Sequence, residues 1–187
     1  QLPSQQSPSD LSGGFCYNRF MNKICITFAG AVGSSKTPIA NYLSYKLNLP
    51  IFNNDAIRTE VIEDFSIFNK DEYLNRRNAR GKEIIGNGKS FIYDASVDRE
   101  WKQLKEWLDE ANYKYFIISL DLSPDFLKKL YAAKQYNESL ERIDQIISDH
   151  ENFIKNHSDK IALHIDDSTF YDRLEMSYRA AKQFFNQ

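Results

Sequence analysis

The chain has 187 residues, 42% hydrophobic and 27% charged, which suits one soluble globular domain; a second full one would be cramped. A formal net charge of −2 and a pI near 6.0 argue against a protein that clings non-specifically to nucleic acid, since such binding needs surplus Lys and Arg to displace counterions. A local basic groove stays open as an alternative.

Gln1 to Phe20 are polar and rich in Ser, Gln, Pro and Gly, and are expected to form a flexible extension, with Met21 a plausible start of the domain. Of the two cysteines, Cys16 falls in that extension and Cys25 in an apolar run, where a buried thiol acts as a small hydrophobe. Two cysteines make no disulfide framework. No signal peptide or long apolar run is present either, so the expected setting is reduced, cytoplasmic and off the membrane.

From Lys23 the pattern alternates. KICITFA reads as a buried strand, and IANYLSYKLN, with Ile39, Leu43 and Leu47 at helical spacing, as a helix. PIFN is a second strand. AIRTEVIEDF and DEYLNRRNARGKEII are helices, the latter closed by Gly86 and Gly88. SFIYD is a strand, REWKQLKEWLDEA an amphipathic helix, and YKYFIISLDL the plainest strand of all. Ser123-Pro124 opens another helix. A long helix is expected from about Leu140 to Lys155, IALHI is the last strand, and Thr169 with Asp172 resembles a capping box opening the C-terminal helix. Five strands separated by helices predict an α/β three-layer sandwich on a parallel sheet, with ligands bound beyond the strands' carboxyl ends.

Between the first strand and helix lies Gly30-Ala31-Val32-Gly33-Ser34-Ser35-Lys36-Thr37. Its context and composition approach the phosphate-binding P-loop, G-x-x-x-x-G-K-[S/T]. Backbone N–H groups must curl round phosphate oxygens, glycines relieve the steric cost, and the following helix directs its N-terminal dipole at the anion. Lys36 is expected to reach the β- and γ-phosphates of ATP, and the Thr37 hydroxyl to ligate Mg²⁺. Ser35 stands where the last glycine normally sits, a departure that puts a Cβ into the loop. Pro38 suits a first helical turn, where its missing N–H has no partner.

The segments GAVGSSKT, NNDAIR and FIYDASVDR together resemble the predicted-kinase group of P-loop proteins, related to polynucleotide 5′-hydroxyl kinases and zeta-toxin kinases. The resemblance runs from about Met21 to the C-terminus. It implies a P-loop NTPase fold with a five-stranded sheet of nucleoside-monophosphate-kinase type, and transfer of the γ-phosphate of MgATP to an unidentified hydroxyl acceptor. By position, Asp55 would be the general base and Arg58 its electrostatic partner. Asp55 also reads as a helix cap. Asp94 closes an apolar strand, where such an acid binds Mg²⁺ beside the loop hydroxyl. The resemblance also places Asp94, Ser96 and Arg99 near the acceptor.

Kinases of this group close an arginine-bearing lid after the fourth strand, and here no arginine occurs between Arg99 and Arg142. Lys128, Lys129 and Lys134 could substitute as point charges, Lys134 being best placed, or Arg142 from the next helix. The alternative is a nucleotide-binding regulatory or degenerate module. Arg76, Arg77 and Arg80 are expected on one solvated helix face, Trp101 and Trp107 as packing, and His150, His157 and His164 without a chemical role.

Overall fold

A computed structural model describes residues 23–186. The expected extension Gln1 to Phe20, with Cys16, and the start at Met21 lie outside them. Five strands, β1 (Ile24–Ala29), β2 (Ile51–Asn53), β3 (Phe91–Ser96), β4 (Lys114–Leu120) and β5 (Ile161–Ile165), pair in the order β2-β3-β1-β4-β5, all parallel. The helices are α1 (Lys36–Leu47), α2 (Asn54–Phe65), α3 (Lys70–Gly86), α4 (Trp101–Glu110), α5 (Pro124–Lys134), α6 (Asn137–Glu141), α7 (Ile143–His157) and α8 (Arg173–Phe185). This is the P-loop NTPase αβα sandwich expected from the sequence.

The period of two along β1 builds both cores. Ile24, Ile26 and Phe28 face α1, α5 and α8 through Ile39, Leu43, Tyr131 and Ala181. Cys25 and Ala29 face the other way, toward Ile57 of α2, Ile85 of α3, Leu104 and Leu108 of α4 and Phe153 of α7. Burial pushes the Cys25 thiol far above its ordinary pKa, so it packs as a hydrophobe. Trp101 is buried against Tyr115 and Phe153, as a packing residue. Among the described residues, no helix is long and apolar enough to cross a membrane.

Three local expectations are corrected. The helix expected from Leu140 is split: short α6 ends at Glu141, and α7 runs from Ile143 to His157. Thr169 and Asp172 form no capping box. The Thr169 hydroxyl is instead turned back onto Asp166, whose carboxylate also accepts the Ser168 and Thr169 N–H groups. A short 3₁₀ turn, Phe170–Asp172, then leads into α8. Finally, Arg76, Arg77 and Arg80 do not share a solvated face. Arg76 pairs with Asp64 and Glu72 and Arg80 with Glu83, but Arg77 turns inward to Glu100 at 2.6 Å with its side chain only 6% exposed.

Candidate active site

The chain leaves β1 through a tight loop at the carboxyl edge of the sheet. Gly30 holds φ +127°, and a Cβ there would meet the Leu120 carbonyl oxygen at 3.0 Å, so only glycine fits. Gly33 holds φ +72° with the Tyr131 ring 3.0 Å from where its Cβ would stand. Ser35 holds φ +85°, the left-handed backbone that explains the usual glycine at this point. Its hydroxyl accepts a 2.9 Å hydrogen bond from Arg173 Nε at the start of α8.

Segment Tyr131 to Tyr136 clasps the loop from outside. Tyr131 Oη donates to the Val32 carbonyl at 2.7 Å, and Lys134 Nζ to the Gly33 carbonyl at 2.6 Å. Lys36 folds back over the loop, its ammonium donating to the carbonyls of Gly30, at 2.9 Å, and Ala31. Desolvation pushes its pKa down to about 8, against the opposing charges of Asp98, Asp94 and Asp55. Burial, together with the neighbouring Arg173 charge, also lowers the pKa of Lys134.

Asn53 ends β2 and organises the next two functional groups. Its side-chain oxygen accepts the N–H groups of Asp55, at 2.7 Å, and Ala56, capping α2, while its amide donates to Asp94 Oδ2 at 3.1 Å. The cap is thus Asn53 and not Asp55. Asp55 occupies the exposed first turn, and among the described residues no side chain hydrogen-bonds to its carboxylate. Asp94, buried inside β3, which runs two residues further to Ser96 instead of closing at Asp94 as expected, accepts the Thr37 hydroxyl on Oδ1 at 3.3 Å. Burial raises its pKa, opposed by that hydroxyl and by Lys36. A hydroxyl and a carboxylate that touch, with the other carboxylate oxygen already held, form the hard oxygen donor set that suits Mg²⁺.

These groups open on one cavity of about 620 Å³, lined among others by Lys36, Thr37, Asp55, Asp94, Ser96, Arg99 and Lys134. Tyr73 and Tyr136 supply aromatic walls and Glu100 a further acid. The structure therefore brings together most of the residues singled out from the sequence. Gly30, Ala31 and buried Ser34 shape the loop without lining the cavity, and Arg58 stands apart from it altogether. Arg58 is exposed on α2 and does not line the cavity, although it lies three residues on from Asp55 and so shares its helix face; its guanidinium is stacked 4.0 Å from the Phe68 ring centroid instead. Neither Lys128, Lys129 nor Arg142 lines the cavity, whereas Arg99 does, with its side chain 71% exposed and 3.6 Å from Asp149.

Sequence reasoning missed the groups that reach the loop from distant elements. Asp98, just past β3, accepts the Gly30 N–H on both carboxylate oxygens, at 3.1 and 3.2 Å. It lies in the segment FIYDASVDR, so its neighbourhood was legible though its role was not. His150 of α7 bridges Asp98 to Asp121 at the end of β4. Its histidine spacing gave no signal, because the contacts are made across the sheet's edge. Arg173 and Tyr131 were missed for the same reason.

Solved structures share the fold over most of the chain. APS kinase of Mycobacterium tuberculosis, in complex with AMPPNP and APS, aligns with a TM-score of 0.60 at 14% identity, over 86% of this chain and 98% of its own. Deoxyadenosine kinase from M. mycoides aligns with a TM-score of 0.55 at 17% identity, over 86% and 99%. A gluconokinase from Sinorhizobium meliloti 1021 aligns with a TM-score of 0.52 at 13% identity, over 90% and 95%. No protein-family model matches the chain, and no curated protein matches it by sequence. The fold is that of P-loop kinases.

Proposed function

We propose that the chain is a small kinase that moves the γ-phosphate of MgATP to the hydroxyl of an acceptor bound in the 620 Å³ cavity. The observation that carries this reading is the convergence of Lys36, Thr37, Asp94 and Asp55 on that one cavity. In a nucleotide complex Lys36 would exchange its loop carbonyls for the β- and γ-phosphate oxygens, gaining a charge-assisted partner for a desolvated ammonium. Thr37 and Asp94 would hold Mg²⁺, which neutralises phosphate charge when bound. Lys134, already at the rim on Gly33, would face the charge that develops on the transferred group.

Asp55 is the one carboxylate of the cavity placed on an exposed first turn, without a partner among the described residues. It would accept the acceptor's hydroxyl proton while that oxygen bonds to the γ-phosphorus and the bond to the β-phosphate oxygen breaks, releasing ADP. Ser96 and Arg99, on the same wall, would orient the acceptor. Arg58, stacked on Phe68, has no part in this scheme. The sequence of α5 and α6 contains only lysines as cations, which favours a second reading, a nucleotide-binding regulatory module that holds ATP without turnover.

Titrating MgATP into the purified chain tests the first step. Binding should be lost, by a hundredfold or more (on the order of 10² for a charged group at an anion site), in Lys36→Ala. Equal binding by Lys36→Ala would remove the P-loop from the reading.

A further inference from the structure

Beneath the loop runs a chain of alternating charge that the phosphoryl-transfer scheme does not use. Asp98 supports the Gly30 N–H with both oxygens. His150 Nδ1 lies 3.3 Å from Asp98 Oδ1, and its Nε2 lies 3.0 Å from Asp121 Oδ1. Asp121 is in turn held by Ser119 and by His164 Nδ1, the latter at 2.5 Å. The side chains of His150 and Asp98 are only 10% and 8% exposed. A carboxylate so placed has two consequences that oppose each other. It fixes the first amide of the loop, yet it sets a buried negative charge under a cradle meant for a triphosphate.

We propose that His150 is a positioning residue whose imidazolium holds Asp98 under Gly30 and offsets its charge, so that the loop keeps its shape and still accepts an anion. This inference rests on the kinase reading of the loop. The ring has a carboxylate on each nitrogen, so both nitrogens donate and the charged form is the one that satisfies both partners. Although burial alone would discharge it, the hydrogen bonds to Asp121 and Asp98 outweigh that and lift its pKa to about 9. The titratable groups around it are Asp98 after β3, Asp121 after β4, His164 of β5 through Asp121, Lys36 at the start of α1 through Asp98, and Asp149 beside it on α7. None of them gives Asp98 a second direct cation at hydrogen-bond distance.

The test is MgATP affinity, measured by calorimetry at pH 7 on the wild-type chain, His150→Gln, Asp98→Asn and the double variant. His150→Gln leaves Asp98 uncompensated and should weaken binding about tenfold or more. Asp98→Asn keeps an oxygen for the Gly30 N–H without the charge, and should bind at least about threefold more tightly than His150→Gln. The double variant should recover the affinity of Asp98→Asn, since the repelling charge is gone. A merely structural His150 would instead give losses that add, and that result, or unchanged binding by His150→Gln, overturns the inference. Should His150→Gln fail to fold, the ring's NMR titration in the wild-type protein decides: a neutral His150 at pH 7 overturns the inference and a charged one supports it. A wild-type chain that binds no MgATP contradicts the kinase reading itself, and with it this inference; intact wild-type binding with an indifferent His150 contradicts the inference alone.

Discussion

Ser35 carries a side chain in a backbone conformation that costs a residue with a Cβ about 1–2 kcal/mol. Its hydroxyl recovers part of that through Arg173. Two substitutions separate the effects. Ser35→Ala keeps the strained Cβ and loses the hydrogen bond; Ser35→Gly loses the bond but removes the strain. Ser35→Gly should therefore be the more stable of the two by about 1 kcal/mol, or roughly 2–4 °C in Tm. The reverse order in thermal unfolding would contradict the left-handed geometry at Ser35. The serine was legible in the sequence as a departure, but its partner 138 positions away was not.

His150 makes a second prediction at this scale. Its pKa is raised from 6.5 to about 9, so its contribution to stability is complete below about pH 6.5 and fades as pH rises through 9. Lys36, lowered from 10.5 to about 8, has the opposite sign: the penalty on its charged form is relieved as pH climbs from 8 toward 10.5. The Lys36 effect is common to wild type and His150→Gln. The stability gap between them, from urea unfolding at a series of pH values, should thus shrink between pH 6.5 and 9. A constant gap would mean that His150 is neutral in the folded chain.

Among the elements, the junction of β2 with α2 does most to shape the site. Asn53 is at once the last strand residue, the cap of α2 and the partner of Asp94. Asn53→Ala should cost about 1 kcal/mol of stability, the usual worth of a cap, and Asn53→Ser should restore most of it by supplying another capping oxygen. Equal destabilisation by both in thermal melts would show that the link to Asp94, not the cap, matters. The strands were readable because β-branched and aromatic residues are concentrated in short runs bounded by turn formers. The break at Arg142 was not, for LERIDQII holds no Gly or Pro and reads as one helix. The false capping box shows the same limit: Thr169 had a fitting partner at Asp172, yet Asp166 offered a closer one.

Over the whole molecule, the parallel sheet gathers residues far apart in the chain at one edge. The carboxyl halves of β1 to β4 and the first residues beyond them supply Gly30, Asp55, Asp94 and Asp121 to adjoining ground. The alternation of strands and helices along the chain is enough to locate the site at that edge, whereas the cross-links that stiffen it exist only once distant segments have folded together. Its structural neighbours include kinases named for APS, deoxyadenosine and gluconate, so the architecture by itself does not choose an acceptor. The choice rests with the cavity wall around Asp55, Tyr73, Ser96 and Arg99. The most direct measurement is therefore ADP release from MgATP, followed across a panel of hydroxyl-bearing acceptors with the wild-type chain and Asp55→Asn. The wild type should show saturable, acceptor-dependent release, and Asp55→Asn should bind MgATP normally but transfer about a hundredfold or more slower. Transfer at the wild-type rate by Asp55→Asn, or tight MgATP binding by the wild type with no acceptor-dependent release at all, would contradict the account.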